Sequence, residues 1–158
     1  MSFTETTIAR WARLDELGPM DVHDLLKMRQ DVFVLEQESL YQDIDGKDPE
    51  ALHLLVRDAA SGQLVGTIRL LGEPEAASAR IGRVVIAQAG RGGGLGRKMM
   101  LAGIDKAREL VPACTIHVSA QAHLENFYNS LGFETVSDVY LEDGIPHVDM
   151  IRRESAPG

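Results

Sequence analysis

The chain is short of what a secreted, membrane-bound or nucleic-acid-binding protein needs. Cys114 is the single cysteine among 158 residues, so no intrachain disulfide can form, and its setting in ACTIHVSA reads as a small buried hydrophobe. No apolar run approaches the roughly 20 residues that cross a bilayer, and the start MSFTETTIARWARLDEL lacks the basic head and apolar middle of a secretion signal. The expectation is a soluble, cytoplasmic protein with no membrane partner. Sixteen Lys and Arg stand against 24 Asp and Glu, a formal net charge of −8, whereas a general nucleic-acid binder presents a basic face to phosphates. No nucleic-acid partner is expected, and the acidic balance suits a cationic acceptor. No metal is expected either: Cys114, His117 and His123 are the nearest to a ligand cluster, and strand alternation puts Cys114 and His117 on opposite faces.

What the chain does have is 44% hydrophobic residues and no low-complexity tract, enough for one domain with a real core. The expected domain runs over residues 1–154, with the SAPG tail at 155–158 frayed. TTIARWARL alternates as an edge strand, and PMDVHDLLKMRQDVFVLEQ has helical spacing of Val22, Leu25, Leu26, Met28 and Phe33 behind a Pro-Met-Asp start. The polar, turn-rich SLYQDIDGKDPEA follows. LHLLVRD, GQLVGTIRLL and ARIGRVVIA then read as antiparallel strands joined by short loops. Met100, Gly103, Ile104, Ala107 and Val111 share one helical face, in a helix that Pro112 ends. CTIHVSA is a buried strand, HLENFYNSL a short helix capped by Gly132, and two strands centred on FETVSDVYL and HVDMIRR close the chain.

Between the ARIGRVVIA strand and the Met100 helix stand Gly92, Gly93, Gly94 and Gly96. Glycine is conformationally costly, so its concentration at a helix entrance needs a reason. Gly96 is followed by Arg97 and Lys98 without the Lys-Ser or Lys-Thr pair of a P-loop, and no register yields G-x-G-x-x-G, so both nucleotide-binding schemes fall. What remains is a run of exposed backbone N–H groups at a helix N-terminus, a site for an anion such as a pyrophosphate.

Arg91-x-x-Gly94-x-Gly96, after RVVIA and before a helix, resembles the acyl-CoA pyrophosphate motif of the GNAT superfamily of N-acetyltransferases, and FYNSLGF resembles that superfamily's C-terminal Tyr-x-x-x-Gly-Phe segment. DVFVLEQESLYQDIDGKD, AQAHLENFYNSLGF and YLEDGIPHVDM are similar to segments of its ElaA-like branch. The resemblance implies an α/β fold with a mixed central sheet, flanking helices and splayed strands, binding acetyl-CoA. It implies pantetheine against the backbone of Val84, Val85 and Ile86, and pyrophosphate on Arg91, Gly92, Gly93, Gly94, Leu95 and Gly96 with the Arg97 amide. Tyr128 falls where a tyrosine commonly protonates the departing thiolate. Gln121 stands where many members have asparagine, and Gln88 replaces a frequent proline. The partner implied is an amine acceptor of unspecified identity, and a homodimer is compatible with the resemblance.

Acyl transfer to an amine asks for a neutral nucleophile, a donor for the oxyanion and an acid for the leaving sulfur. For the base, Glu36, Asp43, Asp45, His53 and His147 all stand as candidates. The segment 36–48 carries Glu36, Glu38, Asp43, Asp45 and Asp48 against Lys47, an acidic rim expected to attract a cationic acceptor, with Glu36 and Asp45 as its binding residues. Two other functions compete: a noncatalytic acyl-CoA-binding module, and an N-acyl-homoserine-lactone synthase, which VFVLEQ and DIDGKD resemble in that enzyme's acceptor-side segment.

Overall fold

Short apolar runs joined by tight turns in the first half of the chain build an antiparallel meander. Strand β1 (Thr7–Arg13) is an edge strand paired with β2 (Leu52–Asp58), and β3 (Leu64–Glu73) and β4 (Ser78–Ile86) follow in order. The computed structural model describes residues 2–154, so the tail 155–158 lies outside the described residues. Beyond β4 the sheet continues through β5 (Thr115–Gln121) to β8 (Ile145–Arg152), which also carries β6 (Glu134–Thr135) and β7 (Tyr140–Glu142).

Among the described residues only β4 and β5 run parallel, because the helix α2 (Leu95–Leu110) carries the chain across between them. Their ladder covers Ser78–Arg80 and Thr115–His117 alone, and past it the strands part. A bulge falls where they separate: Gly82 faces Arg69 and Val85 faces Thr67, so Arg83 and Val84 together oppose Ile68, and Arg83 takes a φ of 51°. A bulge bends its strand and increases the twist, which suits an open sheet with a wedge at its centre.

The wedge has a packed floor. Leu95, Met99, Met100, Ile104 and Ala107 of α2 are buried against Ile68, Ile81, Ile116 and Val118. Gly103 is needed for that approach, since a Cβ there would stand 2.9 Å from Ile68 Cδ1 and 3.0 Å from Ile81 Cδ1. A second apolar cluster of Met28, Leu55, Leu64 and Val85 seats α1 (Pro19–Arg29) on the sheet, with Val32 and Phe33 beside it.

Two expected elements differ in detail. The first helix does not run on as an α-helix; Gln30–Glu36 is a π-helical turn, with the Gln37 N–H donating to Val32 O at 3.1 Å. Wider turns of this kind recur at functional sites. The strand expected on FETVSDVYL is split into β6 and β7, because Ser137 leaves the ladder and its Oγ accepts the Asp149 N–H at 2.8 Å. No helix among the described residues is long and apolar enough to cross a membrane.

Candidate active site

The parting strands open into a cleft of about 1010 Å³ whose wall includes Val84, Val85 and Ile86 of β4, Gln121 of β5, and Tyr128 of α3 (Glu125–Asn129). The Ala87 N–H donates to Val65 O at 2.9 Å, so strand alternation turns the Val85 N–H towards β3 as well and leaves the Ile86 N–H and C=O on the open side. Val85 spends its side chain in the α1 cluster, 3% exposed. Ile86 is thus the residue of the three with backbone groups shown to face the wedge.

At one end of the cleft lies the glycine loop, where Arg91 and Gly96 form part of the wall. Gly92 (φ 94°) and Gly94 (φ 76°) adopt left-handed conformations that favour glycine, and Gly94 is the N-cap of α2 with no side-chain cap. Gly93 is different: its φ is not left-handed, and an added Cβ would meet nothing within 4 Å. Neither conformation nor packing explains it. Among the described residues, no backbone or side-chain acceptor takes the N–H groups of Gly92, Gly93, Gly94, Leu95, Gly96 or Arg97; the first helical closure is Lys98 N–H to Gly94 O at 3.2 Å. Leu95 anchors this entrance by burying its side chain (6% exposed), and the Arg97 guanidinium donates to Ser130 Oγ at 3.3 Å. Successive free amides at the positive end of a helix dipole make a surface for a phosphate.

Tyr128 sits deeper, 6% exposed, its ring edge-on to Phe127 (centroids 5.2 Å apart) and Phe133 (5.8 Å). Burial alone pushes its hydroxyl up to about 12, so the phenol keeps its proton throughout the neutral range.

The acidic segment, expected to attract a cationic acceptor, is largely paired with the protein's own arginines. Asp43 and Asp48 are 8% and 4% exposed and are held by Arg29, itself 1% exposed: its Nε donates to Asp43 Oδ2 at 2.9 Å and its Nη1 to Asp48 Oδ1 at 2.8 Å. Asp45 lines the cleft, yet Arg69 grips both its oxygens at 2.9 Å and Arg83 approaches at 3.3 Å. Burial would raise the Asp45 carboxyl, but the hydrogen bonds from Arg69 and the Lys47 amide and the charges of Arg69 and Arg83 hold it well below the usual carboxylate range. Tyr41 closes the network, donating to Asp43 Oδ1 at 2.7 Å beneath the Arg83 guanidinium. Glu36 meets Arg91 across the mouth, Nη2 to Oε2 2.9 Å, while Arg91 Nε donates to Ile86 O at 2.9 Å. Four of the rim's five acids are therefore neutralised internally, by Arg29 of α1, Arg69 of β3, Arg83 of β4 and Arg91 of the glycine loop, while Glu38 stays exposed.

Sequence alone does not single out Arg29, Arg69 and Arg83, whose acids lie far along the chain. A signal for two of them was present: Arg69 interrupts the apolar TIRLL, and Arg29 lies one helical turn from the buried Leu25. Single arginines on buried faces require buried acids. Among the base candidates, His53 is 1% exposed, outside the cleft wall, with Nε2 3.0 Å from Asp48 O, and burial lowers its pKa. His147 does line the cleft, across the ladder from Gln121.

Comparisons with known proteins agree with this architecture. Residues 21–153 match the family model described as an acetyltransferase (GNAT) domain. ElaA from Escherichia coli is 38% identical over 138 residues, covering 87% of this chain and 90% of ElaA, and its crystal structure superposes with a TM-score of 0.86 over 93% of this chain and 99% of that one. An acyl-CoA N-acyltransferase from Pseudomonas aeruginosa superposes equally well, with a TM-score of 0.86 at 38% identity over 93% and 99% of the two chains. The acyl-homoserine-lactone synthase LasI, 15% identical with a TM-score of 0.74 over 93% and 89%, shares the fold. With a mixed, open sheet split at β4 and β5, a helix entered through exposed amides, and relatives matched over nearly their whole length, the chain belongs to the GNAT acetyltransferase family, whose cosubstrate is an acyl-CoA.

Proposed function

We propose that the protein is an N-acetyltransferase that moves the acetyl group of acetyl-CoA to a primary amine, on a small molecule or a protein, by direct attack on the thioester. The observation that carries this reading is the run of unsatisfied amides from Gly92 to Arg97, which reaches at Gly96 the wall of the cleft that the buried Tyr128 also lines. The residues fit the cosubstrate: a pyrophosphate satisfies those donors, and the Ile86 N–H, on the open side of β4 beside a carbonyl held by Arg91 Nε, offers a donor to the amides of pantetheine. Gly93 leaves the backbone bare for close approach.

Within the cleft each group has a task. The loop amides and the N-terminus of α2 hold the phosphates and thereby fix the position of the thioester along β4. A free strand N–H polarises the carbonyl as its oxygen gains charge. Tyr128, kept protonated by burial, donates to the sulfur as it leaves. The balanced Arg–Asp network holds the acceptor side of the wall rigid, because each buried charge has its partner in place. The reading assigns the protein to the cytoplasm, where acyl-CoA is at hand.

The test is incubation with acetyl-CoA and a panel of amines, amino acids and peptides, following release of free CoA thiol. Acetyl-CoA binding with no thiol release across the panel would favour a noncatalytic acyl-CoA module. Preference for long acyl groups with an amino-lactone product would favour the homoserine-lactone reading, which rests on fold likeness to LasI.

A further inference from the structure

We propose that His147 is the general base of the acyl transfer and that Glu142 holds the imidazolium it becomes. The proposal rests on the N-acetyltransferase reading and names the group that reading lacks. The other candidates are engaged. Asp43 and Asp45 are locked by arginines, Glu36 is paired with Arg91, and His53 lies outside the cleft wall.

Local sequence dictates the geometry of His147. Asp143 (φ 51°) and Gly144 (φ 79°) form the two-residue turn of the β7–β8 hairpin, with both residues in the left-handed region. That turn fixes the register: Glu142 faces Ile145 and Tyr140 faces His147. Residues two apart share a face, so His147 has Tyr140 directly across and Glu142 on the diagonal. A one-residue slip would turn the imidazole to the opposite side of the sheet.

The ring is held from several directions. Its Nδ1 lies 2.7 Å from Ile145 O. A carbonyl only accepts, so Nδ1 carries the proton and the neutral ring presents Nε2 as a bare lone pair. Tyr140 stacks on the ring with centroids 6.1 Å apart, and its hydroxyl is tied to Asp149 Oδ1 at 2.6 Å. His147 is 8% exposed and lines the same cleft as Tyr128. Nε2 is 3.5 Å from Glu142 Oε2. Two acceptors face each other there while the imidazole is neutral, and they become donor and acceptor once Nε2 takes a proton. Among the described residues, the ladders bring Glu142 and Tyr140 of β7 to the ring, with Asp149 beyond Tyr140, and from β5 the uncharged Gln121.

The proton balance follows. Nε2 takes one proton from an ammonium acceptor, leaving a neutral amine whose lone pair forms the new N–C bond. The C–S bond breaks, its electron pair goes to sulfur, and sulfur takes the proton Tyr128 donates. The proton shed by the new amide nitrogen restores the tyrosine through solvent, and the imidazolium releases its own proton to water. The products are the N-acetyl amine, CoA thiol and one proton.

The test uses the full chain with an active amine. His147→Gln preserves shape and hydrogen bonding but is not basic. The expected result is a kcat loss of roughly 10²-fold or more, acetyl-CoA affinity changed by less than about twofold, and loss of the acidic limb of the kcat/KM pH profile. His147→Ala is expected to regain part of its turnover with added imidazole, which a packing role would not allow. Glu142→Gln is expected to lower kcat by roughly tenfold. Independently of turnover, long-range ¹H–¹⁵N correlation should show His147 Nε2 unprotonated in the neutral ring. Unaltered kcat and pH profile in a folded His147→Gln variant, or a neutral ring protonated at Nε2, would overturn the base assignment alone. A wild-type protein that binds acetyl-CoA but acetylates no amine would overturn the transferase reading and the base with it.

Discussion

Gly93→Glu isolates the glycine loop as a phosphate site. Gly92 and Gly94 are poor places to probe, because their left-handed backbones would be strained by any side chain. Gly93 has an ordinary φ and open space around it, so the variant should fold with stability within about 0.5 kcal/mol of the parent. A carboxylate about 5 Å from a phosphate charge costs about 0.8 kcal/mol at the dielectric of water and about 3 kcal/mol at an effective value of about 20. The pyrophosphate linkage carries two such charges, and the loop is exposed, so a total of about 2–4 kcal/mol is expected, or about a 30- to 900-fold weaker Kd. Calorimetric titration with acetyl-CoA measures it directly, and raising the salt should recover part of the loss. Gly93→Gln separates bulk from charge and should lose much less. Acetyl-pantetheine, which lacks the pyrophosphate, should react equally well with parent and variant. A folded Gly93→Glu protein that binds acetyl-CoA within about threefold of the parent would refute the idea that the bare amides serve phosphates.

Tyr128→Phe keeps both edge-on ring contacts but removes the donor, so kcat should fall by roughly 10²-fold with acetyl-CoA affinity unchanged. The same variant has a stability signature: the folded phenol titrates at about 12 against 10.0 unfolded, so the parent loses roughly 2–3 kcal/mol between those pH values as the unfolded chain ionises first, and urea midpoints should show the phenylalanine variant losing less. Arg29→Met should cost about 3 kcal/mol or more in urea unfolding, because it strips buried Asp43 and Asp48 of one partner each; it stays at the low end because Arg83 and Arg69 remain beside them. Asp45 is depressed in the folded state, so its contribution is present above its unfolded value and is lost as pH falls towards the folded one; Asp45→Asn should be less stable at neutral pH and show a shallower fall in Tm below about pH 4.

Much of the fold is legible in the sequence, because it depends on near neighbours. The α2 face is set by 3.6-residue spacing, the β2–β4 meander by short apolar runs and short loops, and the helix entrance by glycines that take left-handed backbones at Gly92 and Gly94. These features also carried the family resemblance. The split of FETVSDVYL was not legible, since it turns on Asp149 supplying a backbone N–H to Ser137 from another strand. The charge state of the acidic segment was hidden for the same reason. Arg29, Arg69 and Arg83 lie 14 to 40 residues from the acids they neutralise, and Arg91 lies 55 from Glu36. Sequence lists these charges but assigns no partners, and a run of acids reads as solvated until cations from three other elements are folded onto it. His147 shows the same division. Its Asp-Gly turn and hairpin register are local and written in the chain, whereas its place on the cleft wall opposite Gln121 exists only because β8 docks on β5, the strand that parts from β4.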